Sequence, residues 1–76
     1  MRISYDREAR AAYVSLLGAI EDGSSVRQLG PIALPGGDGQ IVVDLDRDGH
    51  ILGFEILNAD LALSPEVIAK ATNPGE

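Results

Sequence analysis

Residues 41–57, with the sequence IVVDLDRDGHILGFEIL, constrain the fold of this chain more than any other stretch. A run rich in β-branched residues precedes Asp48 and Gly49, and a second apolar run follows them. An Asp-Gly pair between two such runs is a strong signal for a β-hairpin. The stretch therefore predicts two antiparallel strands at the centre of a small sheet.

The apolar pattern in this hairpin also predicts its register. If Asp48 and Gly49 form a two-residue type I′ turn, three apolar pairs fall on one face, because side chains alternate along a strand. The pairs are Leu45 with Leu52, Val43 with Phe54, and Ile41 with Ile56. A three-residue loop would shift the pairing by one residue and break this match. We therefore expect the two-residue turn, a positive φ at Gly49, and a core built on these pairs.

The same stretch also contains a calcium-loop pattern. Its candidate ligands are Asp44, Asp46, Asp48 and Glu55. Their spacing, with Gly49 after the third aspartate, is that of a helix-loop-helix calcium site. Such a site needs a helix leading into the loop, whereas residues 35–43 hold three glycines and a β-branched run. We expect a solvated hairpin tip without metal, and a calcium-binding module stays open as an alternative.

Chain length and composition limit the class of protein. Seventy-six residues suffice for one domain, residues 1–76, with a core at 1–71 and a tail at 72–76. The chain has no cysteine, so a cytoplasmic location is expected. Its net charge of −6 disfavours a nucleic-acid partner, which would need clustered cations. No apolar run approaches the length needed to span a membrane, so a membrane partner is not expected either.

The region before the hairpin holds further strands. Residues 2–5 alternate as a short strand, and Asp6 is placed to cap the turn that follows. Residues 11–17 fit a strand, but residues 6–17 also fit one amphipathic helix, and the residues alone leave both open. Residues 18–25 read as a loop. A strand from Val26 continues towards Leu34, and Pro31 confines it to a sheet edge or ends it there.

The C-terminal region predicts one short helix. Ser64 is a helix cap, Pro65 suits the first helical position, and Glu66 complements the helix dipole. Together with the hairpin, these elements predict an α+β fold. It consists of a small antiparallel, meander-like sheet of about four to five strands, with a central hairpin at 41–57 and this helix.

The sequence resembles the small bacterial family catalogued as domain of unknown function 2283. The matching motifs are Tyr5-Asp6, Glu8-Ala9, Ala12-Tyr13-Val14, Val43-Asp44, Asp48-Gly49, Gly53, Glu55-Ile56-Leu57 and Ala59. Arg10 departs from the acidic residue usual in the family, and residues 31–40 are longer and richer in glycine. The resemblance implies that residues 11–17 form a strand. It implies no activity and supplies no catalytic residues.

The residue inventory favours a protein that is not an enzyme and needs no cofactor. His50 is the only histidine, and no phosphate-binding loop or nucleophile–base pair is evident. Glu55, within an apolar strand, is expected to pair with Arg2, Arg7 or Arg10 rather than to perform chemistry.

The function expected from the sequence is protein interaction or self-association. A core this small is marginal alone, so we expect a homodimer, with another small protein as a possible partner. Val42, Ile51 and Leu57 form a second apolar set on the opposite face of the hairpin, where the two copies would meet. The alternative is the acidic partner in a bacterial toxin–antitoxin-like pair.

Overall fold

The computed structural model describes residues 1–17 and 26–71, which form a five-stranded antiparallel sheet and two short helices. The strands are β1 (Arg2–Asp6), β2 (Ala11–Ser15), β3 (Arg27–Ala33), β4 (Gln40–Leu45) and β5 (Ile51–Leu57). The helices are α1 (Ala59–Ala62) and α2 (Pro65–Lys70). The predicted α+β fold with a small antiparallel sheet is confirmed, with two short helices in place of one. The predicted loop at 18–25 and tail at 72–76 lie outside the described residues.

The strands lie in the order β1-β2-β5-β4-β3, so β5 is central and β1 and β3 are the edges. Strands β3, β4 and β5 form a meander, and β5 also pairs with β2 of the N-terminal hairpin. Residues 11–15 are a strand, as the family resemblance implies, and not part of a helix. The expectation that Pro31 confines its strand to an edge is also confirmed.

The register of the central hairpin is confirmed at two of its three predicted pairs. Val43 lies opposite Phe54, and Ile41 lies opposite Ile56. The third prediction is wrong, because Leu45 pairs with Ile51 and not with Leu52. The register shifts between Asp44 and Leu45, which leaves one extra residue in β5, and this is a β-bulge.

The predicted type I′ turn is also wrong. The amide of Gly49 donates to the carbonyl of Asp46 at 3.1 Å, and the amide of Asp46 donates to the carbonyl of His50 at 2.9 Å. Residues 47–49 therefore form a three-residue loop. Gly49 has the expected positive φ of 85°, but Asp48 does not, whereas a type I′ turn requires it at both central positions. The longer loop shifts the pairing by one residue, and the extra residue in the bulge shifts it back. The apolar pairs beyond the bulge are therefore the ones expected for a two-residue turn.

The two faces of the sheet differ in what covers them. On the side that we call the helix face, Ala12 and Ile56 pack with Ala59 of α1 to form the core cluster. The other side, which we call the tyrosine face, carries Tyr13 opposite Glu55. No helix among the described residues is long and apolar enough to cross a bilayer.

The position of Val42 corrects one prediction about these faces. Val42 lies opposite Glu55 on the tyrosine face and is buried. Leu57 is half-buried, and of the predicted second apolar set Ile51 is exposed, at 47%. The tyrosine face therefore lacks the continuous exposed apolar surface expected there.

Helix α2 begins as predicted. The Oγ of Ser64 accepts a hydrogen bond from the amide of Val67 at 3.3 Å, and Pro65 opens the helix. None of the α2 residues is buried, so this helix adds little to the core.

Candidate functional site

Three polar side chains on the tyrosine face join three strands. The hydroxyl of Tyr13 donates to Asp44 Oδ2 at 2.8 Å, and Gln28 Nε2 donates to Asp44 Oδ1 at 2.8 Å. Asp44 is only 7% exposed. A buried carboxylate is costly unless its oxygens accept hydrogen bonds, and here each oxygen accepts one. The cluster therefore links β2, β4 and β3 through one satisfied acidic group.

Gly53 makes this link possible. It lies in β5, opposite Ser15 of β2 on one side and Asp44 of β4 on the other. A Cβ at this position would lie 2.8 Å from the Tyr13 hydroxyl and 3.0 Å from a ring carbon of the same side chain. The absence of a side chain therefore lets the tyrosine ring extend across the central strand to Asp44.

The environment of Tyr13 fixes its protonation state. Burial, followed by the hydrogen bond to Asp44 and the negative charges of Asp44 and Glu55, raises the pKa of Tyr13 well above its usual range. The phenol is therefore a hydrogen-bond donor at neutral pH and not a base. The geometry suits a structural tie between strands.

Glu55 and Ser15 lie beside this cluster. Glu55 is half-buried, and the ion pairs found between described residues do not include it. The pair with Arg10 that the sequence suggested is not formed, because Arg10 Nε instead contacts Asp60 Oδ1 at 3.0 Å. The Oγ of Ser15 is buried without a hydrogen-bond partner among the described residues. Sequence analysis did not single out Tyr13 or Gln28, because only the strand order brings them to Asp44.

The hairpin tip gathers a different set of residues from the calcium pattern. Possible ligand atoms of Asp46, Asp48 and His50 lie within 4.8 Å of one another. Asp44 and Glu55, the other two residues of the pattern, lie on the tyrosine face, and both oxygens of Asp44 accept hydrogen bonds there. Three exposed or half-exposed side chains fall short of the six to eight oxygen ligands typical of calcium.

Asp46 organises the tip by hydrogen bonding to the backbone. Its Oδ1 accepts from the amides of Asp48 and His50, each at 2.9 Å. The amide of His50 is the largest cause that holds the pKa of Asp46 below its usual range. His50 is exposed, and its Nδ1 lies 3.5 Å from Asp46 Oδ2. Asp46 thus acts as a turn-stabilising side chain, which its place at the start of an Asp-rich turn could have indicated.

An exposed apolar area lies on the helix face, away from the core cluster. We call it the apolar patch, and it consists of Leu29, Ile32, Val43 and Phe54. Leu29 and Ile32 of edge strand β3 are 53% and 54% exposed, and Val43 and Phe54 are half-buried. Leu29 lies opposite Val43, which lies opposite Phe54, so these three side chains form one row across β3, β4 and β5.

Comparison with known protein families identifies a relationship that covers most of the chain. The model of the family described as "Protein of unknown function (DUF2283)" matches residues 2–59. No curated protein and no solved structure shows significant similarity to the chain.

Proposed function

Since the chain belongs to the family of proteins of unknown function DUF2283, we propose a function from its surface. It is a non-catalytic protein-interaction module, and the apolar patch is its binding surface. We also propose that it acts in the cytoplasm, as expected for a chain without cysteine.

The exposure of the apolar patch is the observation that supports this proposal. Phe54 is the only phenylalanine of the chain and lies in the central strand, yet it is not buried. The side chains around it belong to the face that carries the core, where Leu45 and Ile56 are buried but Leu29 and Ile32 of the edge strand are exposed. Leu29 and Ile32 are exposed next to the half-buried Val43 and Phe54, and apolar side chains exposed in a group rather than singly are typical of a protein-binding surface.

The polar groups support a role without catalysis. Tyr13 stays protonated at neutral pH, and Asp44 is held by two hydrogen bonds. His50 is exposed at the hairpin tip, where its partner is Asp46. The side chains of Tyr13 and Asp44 are engaged with each other in holding the strands together, whereas general acid–base chemistry would need a group free to exchange protons with a substrate.

A second candidate is the acidic member of a toxin–antitoxin-like pair, which would bind a basic protein. Glu55 supports it, because this half-buried carboxylate on the tyrosine face has no ion pair among those between described residues. The two candidates use opposite faces of the sheet. Variants on each face can therefore separate them.

Co-purification from the native cell tests the proposal. Tagged wild-type protein would be expressed at endogenous level beside Leu29→Asp, Leu61→Asp and Glu55→Gln variants, and co-purifying proteins identified by mass spectrometry. Leu61 is the matched control for Leu29, because it lies on α1 and is 57% exposed. We expect at least one protein to co-purify with the wild type and with the Leu61→Asp and Glu55→Gln variants but not with Leu29→Asp. An untagged copy of the chain itself counts as such a protein.

Two results would contradict the apolar patch as the binding surface. If Leu29→Asp and Leu61→Asp recover the same proteins as the wild type, the patch has no binding role. Loss of the partner with Glu55→Gln alone would support the second candidate instead.

A further inference from the structure

We propose that the occupant of the apolar patch is a second copy of this chain, related to the first by a two-fold axis. This inference rests on the proposed function and names its partner.

The distribution of charge between the two faces of the sheet supports a second copy. Three carboxylates lie within the strands, at Asp6, Asp44 and Glu55. Residues that lie opposite each other in neighbouring strands share a face of the sheet. All three carboxylates lie on the tyrosine face, as shown by the pairs of Asp6 with Ala11, Asp44 with Gly53, and Glu55 with Tyr13. In the described strands, the helix face carries one charged residue, Arg27, opposite Leu45.

This separation matters because the chain has a net charge of −6. Two like-charged copies repel unless their contact surfaces keep the charges apart. If two copies meet through their helix faces, the strand carboxylates of both copies point away from the contact. A basic partner would instead be drawn to the tyrosine face. The described strands carry no carboxylate on the helix face, and Asp60 of α1 is paired with Arg10, so this is the face on which two copies of an acidic chain can meet.

The extent of the molecule sets the expected strength of this contact. The molecule measures 33 × 29 Å across its broad face and 19 Å in depth. A standard interface buries about 800 Å² per partner. That is most of a face of this size, and the core cluster with α1 already occupies one part of the helix face. The dimer contact is therefore at the small end of the range, and we expect a micromolar dissociation constant.

A two-fold arrangement follows from using the same patch on both copies. An isologous contact sets patch against patch and leaves neither exposed, whereas a head-to-tail contact would leave one patch open at each end. The exposed strand β3 lies at the edge of the sheet, so a second copy can reach Leu29 and Ile32 without displacing α1.

Light scattering coupled to size exclusion, on purified protein loaded from about 5 to about 500 µM, tests the inference across the weak-affinity range. We expect the mass to rise from the 8.0 kDa of one chain towards twice that value. Leu29→Asp should weaken the dimer at least tenfold, and Leu61→Asp should leave it unchanged. Circular dichroism checks that both variants fold.

A second measurement locates the contact. Methyl chemical shifts recorded over the same concentrations should move at Leu29, Ile32 and Val43 on the helix face, and stay fixed at Leu57 on the tyrosine face. A mass of 8.0 kDa at every concentration would overturn the inference. So would a dimer that Leu29→Asp leaves intact, or shifts confined to the tyrosine face.

The outcome for the proposed function can differ from this one. If the purified chain stays monomeric but a different protein is lost with Leu29→Asp in the native cell, the second copy is refuted and the interaction module stands. If the chain is monomeric and no protein depends on Leu29, both fail.

Discussion

The hydroxyl of Tyr13 and the carboxylate of Asp44 are 31 positions apart in the sequence and 2.8 Å apart in the fold. Their hydrogen bond depends on the pairing of β2 with β5 and of β5 with β4. Alternation within each strand predicts which face a residue occupies, and the order of strands decides which residues meet on it. This is why the sequence identified Asp44 only as one of three alternating aspartates.

Replacing Tyr13 with phenylalanine tests the contribution of this hydrogen bond. The change removes the donor and leaves an oxygen of buried Asp44 without it, so we expect a loss of about 1–3 kcal/mol in the free energy of unfolding. Urea denaturation measures it. Tyr5→Phe is the control, because no hydrogen bond from the Tyr5 hydroxyl joins it to another described residue. A Tyr13→Phe loss no larger than the control's would show that the bond contributes nothing.

The same tyrosine predicts how stability depends on alkaline pH. The raised pKa of Tyr13 in the folded state means that the unfolded chain loses this proton first. The stabilisation is therefore complete below the usual tyrosine pKa of about 10 and is lost as pH rises from there towards the folded-state pKa. The stability advantage of wild type over Tyr13→Phe should shrink above about pH 10. Denaturation curves at pH 8 to 11 check this, and a constant difference would contradict it.

Strand β5 is the central element of the sheet, because it joins the hairpin of β1 and β2 to β4 and β3. Gly53→Ala should cost about 1–3 kcal/mol, because the new methyl group would collide with the Val14 carbonyl and the Tyr13 ring. Chemical denaturation provides the measurement. Gly37→Ala is the matched control and should change stability by less than about 0.5 kcal/mol, because a Cβ there meets nothing within 4 Å. Equal effects of the two changes would refute the close approach.

The central hairpin shows how far sequence reasoning reaches at the level of elements. The apolar alternation correctly paired Val43 with Phe54 and Ile41 with Ile56. The alternation could not reveal the bulge, because the residues of β5 on either side of the extra residue are apolar in both registers. The turn type depended on the Asp46 side chain, which holds the amides of Asp48 and His50. Asp-Gly alone does not distinguish this loop from a two-residue turn.

The geometry of the hairpin tip predicts its response to calcium. Asp44 and Glu55 lie on the tyrosine face, away from the group formed by Asp46, Asp48 and His50. We therefore expect millimolar calcium to leave the thermal midpoint unchanged relative to a chelated sample, since a ligand stabilises only what it binds. Differential scanning fluorimetry checks this. A rise of several degrees that Asp46→Asn abolishes would establish a calcium site at the tip.

Across the molecule the two faces of the sheet differ: the tyrosine face carries the hydrogen-bonded cluster of Tyr13, Asp44 and Gln28, and the helix face carries the exposed side chains of Leu29 and Ile32. Sequence analysis expected self-association but placed it at Val42, Ile51 and Leu57. Val42 is buried instead, and among the exposed apolar side chains Leu29 and Ile32 share one face of the edge strand. The sequence predicted that the C-terminal helix is short, but it could not show that this helix buries none of its residues or in which order the strands lie.

The central claim is that the apolar patch is a binding surface that a second copy covers, and methyl NMR with a neutral gadolinium chelate tests it most directly. Relaxation of Leu29 and Ile32 methyl groups would be compared with that of Leu61 at about 20 and about 500 µM protein, on either side of a micromolar dissociation constant. We predict strong relaxation at all three residues in the dilute sample. In the concentrated sample it should fall by at least half at Leu29 and Ile32 and stay unchanged at Leu61. Equal relaxation at Leu29 and Leu61 in both samples would contradict the claim.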